Sequence, residues 1–154
     1  MQLSKSFSLS EMTISQSATR AGYDNTPTPI IEMNLKRLCN DLLQPIRDHI
    51  GQSIHVSSGY RSQRVNRLIG GVDTSAHVFG FAADITCPSF GDPKHLAIEI
   101  VNFLNTNKIK FDQVILEFNQ WVHVGICTRE GLQRGQILTA KKVNGQTKYV
   151  QGLE

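Results

Sequence analysis

Ser75-Ala76-His77-Val78-Phe79-Gly80-Phe81-Ala82-Ala83-Asp84, completed downstream by Trp121-Val122-His123, decides how this chain is read. Together they offer two imidazoles and one carboxylate. That donor set can hold zinc through three protein ligands and leave one coordination position open, as catalytic rather than structural zinc sites do. His77 and Asp84 are seven residues apart, too far for one helical turn but within reach if a loop runs into a strand. Gly80, Ala82 and Ala83 let the backbone bend and pack closely there. On a strand running from Phe81 to Cys87, Ala82, Asp84 and Thr86 share one face, opposite Ala83 and Ile85. His123 must then come from a neighbouring strand. His49, His55 and His95 have no carboxylate at a suggestive offset and read as surface or satisfied histidines.

Outward from this stretch the chain has a clear order. Ser8-Leu9-Ser10-Glu11 is a capping box for a short helix. A second short helix is expected from Ser17 to Ala21, stopping at Gly22. Asn25-Thr26-Pro27-Thr28-Pro29 breaks the chain, with Pro29 suited to the first position of the next helix. There Ile31, Leu35, Leu38, Leu42, Ile46 and Ile50 form one apolar stripe; Pro45 should kink the helix or end its first part, and Gly51 should stop it. Ser53–Ser58 alternates like a strand, Gly59-Tyr60-Arg61-Ser62 follows as a loop, and Gln63–Ile69 reads as a helix packed through Val65, Leu68 and Ile69. Pro93 opens an amphipathic helix through Leu96, Ile100, Phe103 and Leu104. Val114–Phe118 and Trp121–Cys127 read as an antiparallel hairpin, and Val143-Asn144-Gly145-Gln146 signals a second one. Helices early and strands late predict an α+β fold: one domain over residues 1–154, a mostly antiparallel sheet and flanking helices.

Composition narrows the class. A 154-residue chain with 40% hydrophobic and 19% charged residues fits one globular domain. No apolar run approaches the ~20 residues of a membrane-spanning helix, so membrane insertion is not expected. The net charge of +3 is a weak pointer to anionic partners. Lysines and arginines never stand more than two together, which gives no nucleic-acid stripe. Cys39, Cys87 and Cys127 are odd in number and lack CxxC spacing, so free thiols are expected. The opening Met1-Gln2-Leu3-Ser4-Lys5-Ser6 lacks a signal peptide's apolar core, and the expectation is a protein made and kept in a cytoplasm.

The whole pattern resembles the zinc D-alanyl-D-alanine peptidase family. Residues 75–84 match its SxHxxGxAxD signature, Ser58-Gly59-Tyr60-Arg61-Ser62 its SGYRS segment, and Trp121-Val122-His123 its WxH close. Asn25-Thr26-Pro27, Asn34-Leu35 and Leu42-Leu43-Gln44-Pro45-Ile46-Arg47 resemble the phage-type branch. The resemblance spans residues 7–127, and the hairpin of residues 135–154 is an extension without a motif. It implies the hedgehog/DD-peptidase fold, with His77, Asp84 and His123 as zinc ligands. Hydrolysis of a peptide bond beside a D-amino acid in peptidoglycan stems is implied too, with Arg61 facing the scissile carbonyl to steady the oxyanion. Ser75 has two readings, capping the loop or binding substrate. Trp121 walls the cleft or simply packs.

One position departs from that pattern. Branches of the family carry an acidic residue three before the last histidine, where this chain has Gln120. Glu117 is the nearest carboxylate. A two-residue turn at Asn119-Gln120 would point Glu117 away from the metal. A three-residue loop, Phe118–Gln120, would pair Glu117 with Trp121 and Ile115 with His123, setting Glu117 and His123 diagonally on one face. The second arrangement is expected, with Glu117 as general base and then general acid.

The expected function is therefore a zinc-dependent peptidase, carboxypeptidase or endopeptidase, acting on peptidoglycan peptides. The use expected is that of a monomeric bacteriophage endolysin, held in the host cytoplasm and released to the periplasm and cell wall. The alternative is a non-catalytic zinc module that binds cell wall or protein. Which bond is cut is not written in the sequence.

Overall fold

Ser8 accepts a hydrogen bond from the backbone of Glu11, whose carboxylate bonds back to the Ser8 N–H at 2.9 Å, closing the capping box of helix α1, Leu9–Thr13. The computed structural model describes residues 1–126 and 132–154. Ser15 caps α2, Gln16–Ala21, which ends on Gly22. Thr28 caps α3, Pro29–Leu38, with its proline in the first turn where a missing N–H costs nothing.

The helical run continues through Pro45, with the first α-helical part ending ahead of it at Leu38. A π-helical turn, Cys39–Leu43, carries α3 into α4, Gln44–Ile50, and the Gln44 N–H bonds five residues back to the Cys39 carbonyl. The widened turn takes the proline without the clash an α-helix would force on the carbonyl four residues earlier. Its second consequence is a broader apolar face. Cys39 and Leu43 join Leu35, Leu38, Leu42 and Ile46 as completely buried residues. Burial pushes the Cys39 thiol up to about 12, so it is inert. Cys87 is likewise a buried free thiol, and Cys127 lies outside the described residues.

One sheet of six strands organises the rest: β1 (His55–Ser58), β2 (Ala82–Thr86), β3 (Gln113–Glu117), β4 (Trp121–Gly125), β5 (Gln136–Val143) and β6 (Gln146–Gln151), in the spatial order β1-β2-β4-β3-β5-β6. All neighbours run antiparallel except β3 and β5, which are parallel. The fold is thus a mixed α+β domain with a mostly antiparallel sheet. Asn144 and Gly145, both at positive φ, make the expected two-residue turn between β5 and β6.

Alternation sends Ala83, Ile85, Val114, Leu116, Val122 and Val124 to one face of the sheet. There they form one core with α3, α4 and α6, Pro93–Thr106, through Leu35, Ile46, Leu96, Ile100 and Leu104. Each such fully buried aliphatic side chain contributes about 1.5–3 kcal/mol. The other face holds Asp84 and His123, paired in register. Helix α5, Gln63–Leu68, departs from expectation: Val65 and Asn66 face inward while Leu68 and Ile69 are about half exposed. Asn66 takes the inner position because its amide donates to the Val72 carbonyl at 2.7 Å and ties down the turn that follows. No helix among the described residues is long and apolar enough to cross a membrane.

Asn25 joins the helical part to the sheet. Its amide donates to the Thr13 carbonyl at 2.8 Å and the Tyr60 carbonyl at 3.1 Å, and its oxygen accepts from the Ser62 N–H at 2.7 Å. Asn25→Ala is expected to cost about 2 kcal/mol, a loss that urea denaturation would read as a lower midpoint at unchanged slope.

Candidate metal centre

Ser75 caps a short 3-10 turn, Ala76–Phe79, by accepting from the His77 N–H at 3.3 Å. The turn closes on Gly80 at φ +73°, where an added Cβ would lie 3.1 Å from the Ile31 carbonyl oxygen. Both facts require glycine there. Asn34 of α3 fastens the end of the turn by donating to the Phe79 carbonyl at 2.9 Å. His77 is thereby held almost fully buried just ahead of β2, whose third residue is Asp84.

The three expected ligands converge. Ligand atoms of His77, Asp84 and His123 all lie within 4.8 Å of one another. His77 Nε2 is 3.2 Å and His123 Nδ1 3.1 Å from the same Asp84 oxygen, Oδ1. The other His77 ring nitrogen, Nδ1, lies 2.7 Å from the Gly59 carbonyl. A carbonyl only accepts, so Nδ1 carries the proton, and a neutral His77 turns the lone pair of Nε2 toward the carboxylate. A lone pair aimed at an anionic oxygen is repelled unless a cation sits between them. The donor set and its orientation therefore fit zinc, with Gly59 as the outer partner that fixes the ligand tautomer.

The charge states agree. Burial pushes His77 below its ordinary value, against the pull of the Asp84 charge, which favours a neutral ring. Burial pushes the Asp84 carboxyl up, but a proton on the facing imidazoles of the metal-free site, by its charge and hydrogen bonds, outweighs burial and holds the carboxyl below the usual carboxylate range; zinc supplies that positive charge when the rings are neutral. A neutral imidazole and an ionised carboxylate are the ligand forms that zinc binds.

Around the triad opens a cleft of about 850 Å³. Glu117 lines it, 9% exposed, and is not a solvated strand carboxylate. The β3–β4 register pairs Glu117 with Trp121 and Ile115 with His123, so the connection is the three-residue loop Phe118–Gln120. Glu117 and His123 are diagonal neighbours on one face. Gln120 is exposed and faces away, beside Thr86 and Pro93. Burial raises the Glu117 carboxyl and nearby Asp84 adds to the rise, while the charges of His123 and Arg61 oppose it.

Arg61, Ser75 and Trp121 also line the cleft. Arg61 Nη2 donates to Ser75 Oγ at 3.3 Å and Nη1 to Ser58 Oγ at 3.4 Å, while its buried Nε has no acceptor among the described residues. Burial lowers the Arg61 pKa against the pull of Asp84 and Glu117, yet a guanidinium remains charged. Ser75 thus both caps the 3-10 turn and supports Arg61. The remaining histidines stand apart: His49 pairs with Glu99 at 2.8 Å and stacks on Phe103, His55 is exposed, and His95 meets the edge of Phe90.

Sequence reading missed the far wall. Leu138, Lys142, Thr147 and Tyr149 of the β5–β6 hairpin line the same cleft. Period-two alternation could have put Leu138, Ala140 and Lys142 on one face, but nothing in the sequence places that hairpin beside β3.

The family model described as Peptidase M15 matches residues 5–125, well over half of the chain. The chain belongs to the peptidase M15 family. No curated protein matches its sequence. Family and triad together make this a zinc metallopeptidase domain of the class that acts on peptidoglycan-type substrates. The C-terminal hairpin lies beyond the matched segment.

Gly59 gives the most specific test of the M15 centre. A Cβ at Gly59 would collide with the Met12 carbonyl, so Gly59→Ala must shift the carbonyl that orients His77. Zinc affinity, measured by competition with a chromogenic chelator, should fall about 10–100-fold with all three ligands intact.

Proposed function

We propose that this M15 domain hydrolyses a peptide bond next to a D-amino acid in peptidoglycan stem peptides. Its opening segments, which resemble the phage-type branch, support use as a bacteriophage endolysin that is made in the host cytoplasm and acts on the cell wall after release. The observation that carries the catalytic reading is the buried Glu117 carboxylate, on the sheet face of His123 and across the same cleft from Arg61.

His77, Asp84 and His123 would hold the zinc. Zinc so held supplies Lewis acidity, polarising a carbonyl and activating water at neutral pH. Glu117 accepts the proton of the attacking water and then delivers it to the departing amine nitrogen, which leaves Glu117 ionised for the next cycle. Its surroundings suit both steps, since burial and Asp84 raise its proton affinity above that of a solvated glutamate. Arg61, steadied by Ser58 and Ser75, donates to the oxygen on which negative charge develops. Trp121, in register with Glu117, forms the apolar edge that limits water around the reacting group. Gln120 has no part in this scheme, because the loop that replaces the usual acidic position brings Glu117 to the same cleft.

Digestion of purified peptidoglycan, with zinc or with a chelator and with new termini identified by mass spectrometry, tests the reading. Zinc-dependent new amine termini beside a D-residue are expected. Their absence under zinc-replete conditions would favour a cell-wall-binding module instead. Glu117→Gln should lower turnover about 10²–10⁴-fold with zinc content unchanged; substantial residual hydrolysis would remove Glu117 from the base role.

The raised Glu117 pKa also has a stability consequence in metal-free protein. A carboxyl whose pKa is raised on folding stabilises the fold while protonated, and that contribution is lost as pH rises through the folded value. Metal-free Glu117→Gln should therefore gain in Tm over wild type as pH is raised from about 4 to 7. A constant difference across that range would contradict the assignment.

A further inference from the structure

The C-terminal hairpin continues the active face of the sheet. Asp84, His123, Ile115 and Leu138 stand in one cross-strand row, and Trp121, Glu117, Ala140 and Tyr149 in the next. Lys142 and Thr147 are paired one step further along the same face. Ala140 is completely buried and small, and beyond it Tyr149 lines the cleft within the electrostatic field of Glu117. Phe118 takes φ +53°, uncommon for an aromatic residue, and its ring stands between Trp121 at 5.8 Å and the Lys142 ammonium at 5.4 Å.

Cleft charges differ in how they are used. Arg134 pairs with both oxygens of Asp112, at 2.9 and 2.7 Å. Arg61 lies in the field of Asp84 and Glu117. Lys142, in contrast, donates to Thr147 Oγ1 at 3.0 Å and has no carboxylate within ion-pair reach among the described residues. Tyr149 is kept protonated, since partial burial and the charges of Glu117 and Asp84 all raise its pKa. The hairpin wall therefore presents an ammonium and a phenol, two donors in search of an acceptor.

We propose that Lys142 and Tyr149 form a subsite that binds a free carboxylate of the substrate peptide, on the hairpin side of the scissile bond. This deepens the peptidase reading above and rests on it. Thr147 and the Phe118 ring hold the ammonium in place, and Leu138 lies beneath the aliphatic part of the bound residue. The subsite selects peptides whose acidic groups are free over those in which the same groups are amidated.

Two stem peptides of identical sequence, one with free carboxylates and one carrying them as carboxamides, separate the possibilities. Their affinities are measured by calorimetry on the zinc-loaded Glu117→Gln protein, and their hydrolysis on the wild-type protein. The free-carboxylate peptide should bind about 10-fold more tightly, Lys142→Met should abolish that difference, Lys142→Arg should keep most of it, and Tyr149→Phe should reduce it about 3-fold. Lys142 and Tyr149 are exposed, and thermal melts of each variant check that folding is intact. Equal binding of the two peptides, no binding of either, or equal weakening of both by Lys142→Met would overturn the subsite. Discrimination in binding with no hydrolysis of either peptide would overturn the peptidase reading and leave the subsite standing. Hydrolysis of both peptides at a ratio that Lys142→Met leaves unchanged would do the reverse.

Discussion

The hydrogen bond between His77 Nδ1 and the Gly59 carbonyl, 2.7 Å long and buried, is the constraint on which the rest of the site depends. It fixes the tautomer of one ligand. It also belongs to a reciprocal lock, because the Arg61 N–H bonds back to the His77 carbonyl at 3.2 Å. The loop after β1 and the turn before β2 thus hold each other, and the loop in turn leans on α1 through the Tyr60 N–H and the Met12 carbonyl at 2.7 Å. The segment from α1 to α4 adds no ligand, yet it holds that loop through Asn25, between α2 and α3, and the metal turn through Asn34 of α3. The family's matched segment, residues 5–125, takes in these helices together with all three metal-site residues.

Such a centre strains the fold that carries it. Asp84, Glu117 and His123 are buried on one face of the sheet, with His77 brought to them by the 3-10 turn, and the reverse of the central strands carries Ala83, Ile85, Val114, Leu116, Val122 and Val124. Buried polar groups are costly unless satisfied, and here two imidazoles share a single carboxylate oxygen. A bound cation converts that convergence from a liability into a favourable contact, so metal binding and folding are linked. The apolar face supplies the opposing stability, and it is broadened by the π-turn that buries Cys39 and Leu43.

What could be read from sequence was local chemistry and alternation. The ligands were legible because His77, Asp84 and His123 stand in motifs that resemble a zinc peptidase signature, their spacing alone being only compatible with a site, and the loop at Phe118–Gln120 was open to a sharp expectation because a one-residue change in its length turns Glu117 to the opposite face. The turn at Asn144-Gly145 was legible because both positions need φ > 0. Long-range choices were not. Leu68 and Ile69 fit a helical stripe, but α5 buries Asn66 instead, since an amide bond to Val72 outweighs one apolar contact at the surface. The π-turn was hidden because its only local mark, Pro45, equally announces a kink. The parallel pairing of β5 with β3 depends on a crossover that no short-range pattern records.

That pairing matters most for Glu117. Without β5, β3 would be the edge of the sheet and Glu117 would stand at an open border, solvated on one flank. With β5 in place, Glu117 lies in register between Trp121 on one side and Ala140 on the other. The Phe118 N–H, which an edge strand would leave to water, bonds to the Ala140 carbonyl at 3.0 Å and pins the loop that sets the register. Desolvation is the largest influence on the Glu117 carboxyl, and desolvation at this position is a product of the neighbouring strand. The hairpin outside the family's matched segment is therefore not an appendage. It completes the environment in which Glu117 departs from an ordinary surface glutamate, and through Ala140 it sets Tyr149 in the same cross-strand row, within the field of that carboxylate.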